Sequence, residues 1–499
     1  MTRGAWREAA GWTAALTVAV IVVGQVASTA RSGLLFRDGD SVVVALAARS
    51  VLEGQSWDWA MSSVLFLPEL GAFIALRMLL PGVAVTTVLA VGAVVNLLAL
   101  YGAVRVAAGR RRPGRMPVVR SVLALAAFGL LAVTETSASR DALEPASLLL
   151  TTTYYSATVI GAVLAAGLVR RWADRPRPLS LATLAMVALV CTLSNPIFLA
   201  WAVAPLAAVL LASSHRSLLG RRSLLPLFAL LGGTAIGFGA RIPFSEWIAN
   251  SGAGYAQPAL WAESAGYYAE LAGVRFSTPG GLAAGVFSAL LLVVAIRHSI
   301  QRSAEPGGRV LAAFAWFAPV AVVAGAIVLG THAARYLQPL AFASVLAIVA
   351  HPVRLRLPAA RLRAVVAAAS ALLLLGAGLS LPRIAAAAGQ PDADARCVAD
   401  WVDSSGRTGA GQFWTVRLPK LLLEDPARLV QVDHTLRGYA WLVNRTDFDA
   451  GEVTFLLEDE QTSPWDVAGL PEPERVIVCG RYRILDFPSH PLPLGPARS

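Results

Sequence analysis

Charged residues are scarce in this chain. Only 15% of its 499 residues are Asp, Glu, Lys or Arg, whereas 56% are hydrophobic and the mean hydropathy is +0.61. Soluble domains carry about 25% charged residues, and disordered chains contain few apolar residues. The scarcity of charge therefore excludes a soluble enzyme with one apolar core, a disordered chain and a coiled coil. It predicts a polytopic α-helical membrane protein, with length for roughly a dozen spans.

Cysteine and lysine are nearly absent. The three cysteines, Cys191, Cys397 and Cys479, form no CxxC pair and no Cys/His cluster, so a zinc site is not expected. Cys397 and Cys479 both fall in a polar C-terminal region, where the sequence allows either a disulfide or two buried thiols. Lys420 is the only lysine, so almost all of the positive charge is arginine.

Arginine is concentrated in alternate connectors between the apolar segments. With Arg3 and Arg7, these connectors hold 22 arginines and only three acidic residues. Because cytoplasmic loops are enriched in Lys and Arg, we expect them inside, and the net charge of +11 then reflects topology and not nucleic-acid binding. The Arg-rich connectors are 105–120, 170–178, 214–222, 297–309 and 351–363.

Eleven apolar segments are long enough to count as spans. An inside N-terminus then gives an extracytoplasmic C-terminus in the plasma membrane. Residues 64–80 are also apolar, but a span there would put the six-arginine loop outside, so we expect this segment to lie along the outer membrane surface. The predicted spans are about 12–30, 83–104, 119–136, 147–169, 179–194, 197–213, 223–240, 281–297, 310–330, 336–350 and 364–381.

The composition changes after residue 382. Residues 383–499 hold 12 basic and 17 acidic residues, and short runs of β-branched and aromatic residues predict strands. A helix is expected near Asp394–Val402. We therefore predict a membrane domain at 1–382, with outer loops 31–82 and 241–280, and a small extracytoplasmic α/β domain at 383–499. The predicted strands are Gln412–Val416, Leu429–Val432, Val453–Leu457 and Arg475–Val478.

The predicted spans contain almost no ionisable side chain, which argues against an ion-coupled transporter. Acidic residues instead gather in two outer loops. Asp40 precedes an apolar helical run, where it is either an N-cap or a functional carboxylate. Glu135, Asp141 and Glu144 lie together before a predicted helix, where they either compensate the helix dipole or form part of a site.

In order and spacing these motifs resemble the GT-C superfamily of membrane glycosyltransferases, in particular protein O-mannosyltransferases and lipid A aminoarabinose transferases (glycosyltransferase family 39-like). Asp40-Ser41 stands where the family has Asp-Glu, and Glu144-Pro145 resembles its Asp-Pro. Arg335-Tyr336 resembles a late Arg-Tyr of the family, and Arg49, Trp57 and Pro68 follow at family-like spacings. Two positions depart: Ser41 replaces an acid, and Phe66-Leu67 replaces a lysine before Pro68.

The resemblance implies transfer of a sugar from a polyprenyl-phosphate donor to a glycan, lipid or protein acceptor at the outer surface of the membrane. Asp40 is then the general base, and Glu144, or alternatively Asp141, orients the acceptor, supports Asp40 or helps to bind a metal. No cofactor is predicted, although a divalent metal is left open. Arginines are expected to bind the donor phosphate or to be interface anchors: Arg335, Arg241, Arg37, Arg275 and Arg140.

Two further interpretations of the chain stay open at this point. A GT-C-like protein that binds lipid or glycan without catalysis fits the two departures from the family pattern. A transporter or flippase fits the number of spans. Aromatic residues in the loop 241–280 suit either stacking on sugar rings or an interfacial belt: Trp247, Tyr255, Trp261, Tyr267 and Tyr268.

Overall fold

The computed structural model describes residues 3–111, 116–215, 220–301, 305–350 and 359–498. Its α-helices are Arg3–Ala27, Ser32–Phe36, Val43–Leu52, Leu67–Leu79, Val85–Ala107, Pro117–Val133, Ser156–Asp174, Pro178–Ser194, Ala204–His215, Leu224–Gly239, Trp261–Phe276, Pro279–Ile300, Pro306–Val328, Pro339–Phe342, Leu346–Ala350, Ala359–Gly389, Ala393–Ser405 and Phe413–Leu422. Shorter turns are 3₁₀ helices at Ser147–Leu150, Gly220–Ser223, Ile242–Trp247, Ala253–Tyr255, Pro258–Leu260, Ala334–Leu337, Pro426–Arg428 and Arg445–Ala450, with a π turn at Leu199–Val203.

The strands are short and belong mainly to the C-terminal region. They are β1 (Trp59–Ala60), β2 (Gly409–Gln412), β3 (Leu429–Val432), β4 (Arg437–Tyr439), β5 (Val443–Asn444), β6 (Glu452–Val453), β7 (Phe455–Glu458), β8 (Arg475–Cys479), β9 (Tyr482–Asp486), β10 (Leu492–Pro493) and β11 (Gly495–Arg498).

Five helices of the described residues are long and apolar enough to cross a membrane. Four other predicted spans, at 119–136, 179–194, 197–213 and 223–240, coincide with apolar helices of 17 residues or fewer, one of them preceded by the π turn. The membrane character of the chain is thus supported, whereas the count of about eleven spans stays a prediction. The five helices are Gly4–Ala27, Val85–Ala107, Pro279–Ile300, Pro306–Val328 and one within Ala364–Ser405.

The chain forms two compact units. The first comprises residues 1–32, 89–242 and 254–387, and the second comprises 33–88, 243–253 and 388–499. This division differs from the predicted one, because most of the first outer loop and part of the later loop cluster with the C-terminal region. The sequence separates these segments by long apolar runs, so their association depends on tertiary pairing that local patterns do not reveal.

Helices of the first unit pack closely where side chains are small. The helices Pro178–Ser194 and Leu224–Gly239 meet at Gly233 and Gly237, which are four residues apart on one face. A Cβ atom at Gly233 would lie 2.2 Å from the carbonyl oxygen of Ala185. This Gly-x-x-x-Gly arrangement lets the two backbones approach, as is common between helices in membranes.

Apolar side chains also cover the outside of the first unit. Leu282, Val286 and Leu290 recur every four residues on the helix Pro279–Ile300, and each side chain is at least 54% exposed. A continuous exposed apolar stripe of this kind is unfavourable in water and suits contact with lipid tails.

Two of the predicted spans, 147–169 and 336–350, are not continuous helices. The helix of the first begins only at Ser156, after an irregular segment at 147–155, and residues 334–350 form three short helical pieces. Side chains satisfy the backbone of these segments, because Asn96 donates to the carbonyl of Leu149 (3.0 Å) and Gln338 to that of Tyr154 (2.9 Å). Such irregular backbone is tolerated at membrane depth where protein buries it.

Buried arginines bind the C-terminal end of the interrupted segment 334–350. Arg120 and Arg170 both donate to the carbonyl oxygen of Val349, at 2.8 and 2.9 Å, in the last turn of the helix Leu346–Ala350. Cations at a helix C-terminus satisfy its last carbonyls and its dipole. Two arginines that the sequence assigns to topology therefore also hold the end of a helix.

The second unit is built on a seven-stranded mixed sheet with the order β11-β4-β3-β2-β7-β9-β8. Its centre is parallel, since β2 pairs in parallel with both β3 and β7, and one edge is an antiparallel hairpin of β8 and β9. The early segment joins this unit through β1, which pairs antiparallel with β5, so that Trp59 lies opposite Asn444.

Most of the elements predicted for the C-terminal region are confirmed, with one exception. The predicted helix and three of the strands coincide with Ala393–Ser405, β3, β6–β7 and β8. The prediction of a strand at Gln412–Val416 is wrong, because β2 ends at Gln412 and a helix begins at Phe413. Parallel neighbours such as β2 and β3 need a crossover connection, and this helix provides it while burying Val416 and Leu421.

A disulfide joins Cys397 to Cys479, with the two Cα atoms 5.5 Å apart, which resolves the alternative left open by the sequence. The bond links the helix Ala393–Ser405 to the end of β8 and closes a loop across 82 positions. We expect Cys397→Ser with Cys479→Ser to lower the free energy of unfolding by about 2–4 kcal/mol, because the unfolded chain regains loop entropy. Thermal unfolding of oxidised and reduced protein measures this loss of stability, and equal unfolding midpoints would contradict the prediction. Cys191→Ser is the control.

Candidate functional site

The acidic residues of the second outer loop lie in the first unit, between the helices Pro117–Val133 and Ser156–Asp174. Glu135 follows the first of these helices and is buried. Its two carboxylate oxygens accept from the amides of Ala146 and Ser147, at 2.8 and 2.6 Å. Glu135 therefore caps the turn that begins at Ser147.

Glu144 is buried in ion pairs. One carboxylate oxygen accepts from Arg275 at 2.9 Å, and the other accepts from the amide of Ser137 at 2.8 Å and lies 3.3 Å from Arg31. Only 6% of Glu144 is exposed. Both oxygens are therefore engaged inside the protein, and the predicted role of Glu144 in the site stays a prediction.

The arginines around Glu144 also have hydrogen-bond partners inside the protein. Arg275 donates to the carbonyl and hydroxyl oxygens of Thr134, at 2.8 and 2.7 Å, so its guanidinium is held within the protein, and its predicted phosphate contact stays a prediction. Arg31 is 1% exposed and donates to the carbonyl of Ser139 at 2.9 Å. We refer to Arg31, Glu135, Glu144 and Arg275 as the buried ion network. The sequence alone does not predict a role for Arg31, because nothing marks it except its position as a lone arginine directly after the first apolar helix.

Asp141 and Arg335 form a second, more accessible pair in the same unit. Their side chains are 44% and 24% exposed, and Oδ1 of Asp141 lies 3.1 Å from Nη1 of Arg335. Arg140 is also close, with its Nε 3.8 Å from the other carboxylate oxygen of Asp141. The structure thus brings three predicted site residues together, two cations around one carboxylate.

Aromatic side chains border this pair. The Arg335 guanidinium lies 5.4 Å from the centre of the Tyr336 ring, and Tyr336 stacks on Tyr155. Burial and the nearby charge of Asp141 raise the pKa of Tyr267, so its hydroxyl stays protonated at neutral pH and can donate a hydrogen bond. Asp141, Arg140, Arg335, Tyr267 and Tyr336 are called the charged patch below.

The backbone beside the charged patch is irregular in two places. Tyr155 adopts a φ of +70°, which is strained for a residue with a side chain. Trp201 lies in the π turn Leu199–Val203 and donates to the carbonyl of Tyr336 at 3.0 Å. Strained dihedrals and π turns concentrate at functional sites, so their proximity to Arg335 and Tyr336 favours the charged patch as the site of the first unit.

Arg241 contacts a different part of the first unit. It donates to the carbonyl oxygen of Leu193 at 2.7 Å, near the end of the helix Pro178–Ser194. This bond gives Arg241 a helix-capping contact. Its predicted phosphate contact stays a prediction.

Asp40 belongs to the second unit. The helix after it begins at Val43 with Val42 in the N-cap position and no capping side chain, so the alternative that Asp40 is the N-cap is not observed. The amide of Asp40 donates to Asp38 at 3.1 Å. The loop lies against the helix Phe413–Leu422, because a Cβ atom at Gly39 would come within 2.9 Å of the Trp414 ring.

A buried arginine shapes the electrostatics around Asp40. Arg417 is 1% exposed, and burial lowers its pKa to about 10, against the opposing effect of the Asp40 and Asp447 charges. Arg417 therefore stays protonated at neutral pH and attracts the Asp40 carboxylate. Arg37, a predicted phosphate ligand of the same loop, approaches the carbonyl of Gln390 at 3.4 Å.

No group of three or more His, Cys, Asp and Glu that could hold a metal ion occurs among the described residues. His332 instead lies 3.6 Å from Glu263 and packs against Tyr267. No protein-family model matches the chain, and no curated protein matches it.

Proposed function

We propose that this protein is a GT-C-like membrane glycosyltransferase, which transfers a sugar from a polyprenyl-phosphate donor to an acceptor outside the plasma membrane. The observation that carries the proposal is the Arg335–Asp141 pair at 3.1 Å, which is partly exposed and bordered by tyrosines. A guanidinium suits a phosphate oxygen, and aromatic rings with a hydroxyl suit a sugar. The ordered family-like motifs support the same assignment.

Each residue of the charged patch has a role in this proposal. Arg335 binds the donor phosphate and stabilises the charge that grows on it as the sugar departs. Asp141 holds Arg335 in position, and Arg140 adds a second cation. Tyr267 donates a hydrogen bond to the sugar. The acceptor hydroxyl attacks the anomeric carbon, the bond from that carbon to the phosphate oxygen breaks, and a carboxylate takes the hydroxyl proton, a role that the family resemblance gives to Asp40.

The proposed topology retains eleven spans, with the N-terminus in the cytoplasm and the C-terminal region outside. The helix Leu67–Leu79 is counted as lying on the outer surface. It has 13 residues, which give a length of about 20 Å at 1.5 Å per residue. A bilayer core of about 30 Å is too thick for it. Met78 and Leu79 are at least 70% exposed, as suits an interfacial helix.

We expect Arg335→Gln to lower kcat/KM for the donor about 10–100-fold, which corresponds to the loss of one charge-assisted hydrogen bond. The measurement uses protein in lipid nanodiscs and a panel of radiolabelled polyprenyl-phosphate hexose and pentose donors. Arg297→Gln is the matched control, since Arg297 is an exposed arginine at the end of the helix Pro279–Ile300. Equal activity of both variants would remove Arg335 from the donor site.

A non-catalytic GT-C-like protein is the second candidate, and the buried ion network favours it. Glu144 and Arg275, which the resemblance places in the site, are held in ion pairs with each other and with Arg31. Native mass spectrometry separates the two candidates. Binding of polyprenyl phosphate without transfer to any acceptor extract supports the non-catalytic candidate, whereas sugar transfer excludes it.

A further inference from the structure

Two of the arginine-rich connectors, 105–120 and 170–178, meet in the first unit. Each begins in the last turn of an apolar helix, Val85–Ala107 for one and Ser156–Asp174 for the other. Arg171 joins the two helix ends, because its Nε–H donates to a carbonyl oxygen in the last turn of the earlier helix at 3.0 Å. The side chains that follow the two helices therefore start from one place in the fold.

The acidic side chains near this place already have partners. The two connectors hold ten arginines and a single acid, Asp174. Asp174 is engaged within its own helix, where it lies 3.7 Å from Arg170. Glu8, from the first helix, pairs with Arg105 at 2.7 Å and with Arg111 at 3.2 Å. These acids are thus taken up by arginines close to the helix ends.

Three other arginines here make no ion pair with any residue that the structure describes: Arg110, Arg175 and Arg177. All three are exposed. The charge of Arg110 lowers the pKa of Arg177, and burial followed by the charges of Arg105 and Arg110 lowers the pKa of Arg171. We refer to Arg110, Arg171, Arg175 and Arg177 as the arginine cluster. Like charges held this close repel each other, so a bound anion would stabilise the cluster.

Phosphate is the anion that this arrangement favours. A guanidinium offers a phosphate two parallel hydrogen bonds and keeps its charge at every physiological pH. The helix Val85–Ala107 is long and apolar enough to cross a membrane, and its end then lies at the level of the polar head groups. The phosphates of lipid head groups are therefore the anions nearest to the arginine cluster.

An exposed apolar stripe begins beside the cluster. The helix Pro178–Ser194 starts directly after Arg177. Leu179, Met186 and Val190 are 77%, 58% and 38% exposed, and their spacing of seven and four residues places them on one face of this helix. A lipid satisfies both features, since its phosphate meets the cations and its acyl chain covers the stripe. A soluble phosphate would leave the stripe uncovered.

We propose that the arginine cluster binds the phosphate group of an anionic phospholipid, whose acyl chain packs along Leu179, Met186 and Val190. The proposal requires the membrane character of the chain, but neither sugar transfer nor a particular leaflet. A test of lipid binding can therefore fail while the transferase assay succeeds, and the reverse also holds.

Native mass spectrometry of the full chain in detergent tests the proposal, with dioleoyl phosphatidylglycerol and zwitterionic dioleoyl phosphatidylcholine as probes. We expect phosphatidylglycerol to bind about 10-fold more tightly. Arg110→Gln combined with Arg177→Gln should raise its Kd about 10–30-fold, because each arginine near an anionic lipid contributes about 5-fold in affinity. Arg297→Gln combined with Arg361→Gln is the matched control, since both are exposed arginines of other connectors and remove the same charge. The control should bind as the wild type does.

Thermal unfolding gives a second measurement. Without lipid, both double variants should unfold at the wild-type temperature, because the changed side chains are exposed. Phosphatidylglycerol should raise the midpoint of the wild type and of the control, but raise that of Arg110→Gln/Arg177→Gln much less, since a ligand of the folded state stabilises it. Leu179→Gln should also weaken lipid binding, through loss of the acyl-chain contact.

Four results would overturn the proposal. Phosphatidylglycerol does not bind the wild type, or binds no more tightly than phosphatidylcholine. An equal loss of affinity in the two double variants would show an attraction spread over the whole surface and not a site. Displacement of the lipid by an excess of inorganic phosphate, with Leu179→Gln binding as the wild type does, would assign the cluster to a soluble anion.

Discussion

We expect Glu144→Gln to lower the free energy of unfolding by about 3–5 kcal/mol, because removal of one member of a buried ion pair leaves its partner uncompensated. Glu144 faces Arg275 at 2.9 Å and Arg31 at 3.3 Å, and all three side chains are at most 8% exposed. Glutamine keeps the size of the side chain but removes its negative charge. Within the buried ion network, Glu135, whose carboxylate lies 3.8 Å from Arg31, then remains to balance two arginines.

Thermal unfolding in nanodiscs measures this effect, and Glu263→Gln is the matched control because Glu263 is an exposed glutamate of the same unit. A double variant adds a sharper test. Arg275→Gln combined with Glu144→Gln should destabilise the protein by less than the sum of the two single changes, since the second change removes a charge that the first has left unpaired.

The same variant separates a structural role from a catalytic one. If Glu144→Gln unfolds at the wild-type temperature and yet loses sugar transfer, Glu144 would return to the catalytic role that the sequence predicts. If stability falls and the transfer measured below the unfolding temperature persists, the buried ion network is a scaffold that fixes the loop carrying Asp141.

The sequence predicts the periodic parts of this fold well. Long apolar runs such as 310–330 become helices, because burial in lipid or protein demands that the backbone satisfy its own hydrogen bonds. The interrupted segments at 147–155 and 334–350 also belong to predicted spans, and composition alone cannot distinguish them from helix. Their shape depends on distant donors, Asn96 and Gln338, whose contacts no local pattern encodes.

Prediction of the candidate site from the sequence meets the same limit, because local patterns do not reveal distant contacts. Clustering of acids in the second outer loop draws attention to Asp141, but the sequence cannot tell it from Glu144 three residues later. Their burial differs in the fold: Glu144 meets Arg31 and Arg275, which are both distant in sequence, whereas Asp141 stays partly exposed beside Arg335. Arg335 and Asp141 are 194 positions apart, so only the fold could pair them.

Asp40→Asn is expected to lower kcat for sugar transfer about 10²–10⁴-fold, the usual contribution of a positioned general base. Asparagine has the shape of aspartate but cannot take a proton from the acceptor hydroxyl. The N-cap position of the helix Val43–Leu52 is held by Val42 and not by Asp40. Donor affinity should change little, since the proposal assigns the phosphate to Arg335.

Asp38→Asn is the matched control, because Asp38 is an acid of the same loop that accepts from the amide of Asp40. Asparagine keeps a side-chain oxygen that can accept from this amide, so the change should lower kcat less than about 10-fold. Loss of the Asp40 charge also removes an attraction for buried Arg417, so a fall in the unfolding temperature is expected as well. A fall in kcat with an unchanged number of polyprenyl-phosphate binding sites per protein distinguishes catalysis from unfolding, because an unfolded fraction would reduce the number of sites in the same proportion as the rate. Wild-type kcat in Asp40→Asn would place the base elsewhere and leave Asp141 as the remaining predicted carboxylate with an exposed side chain.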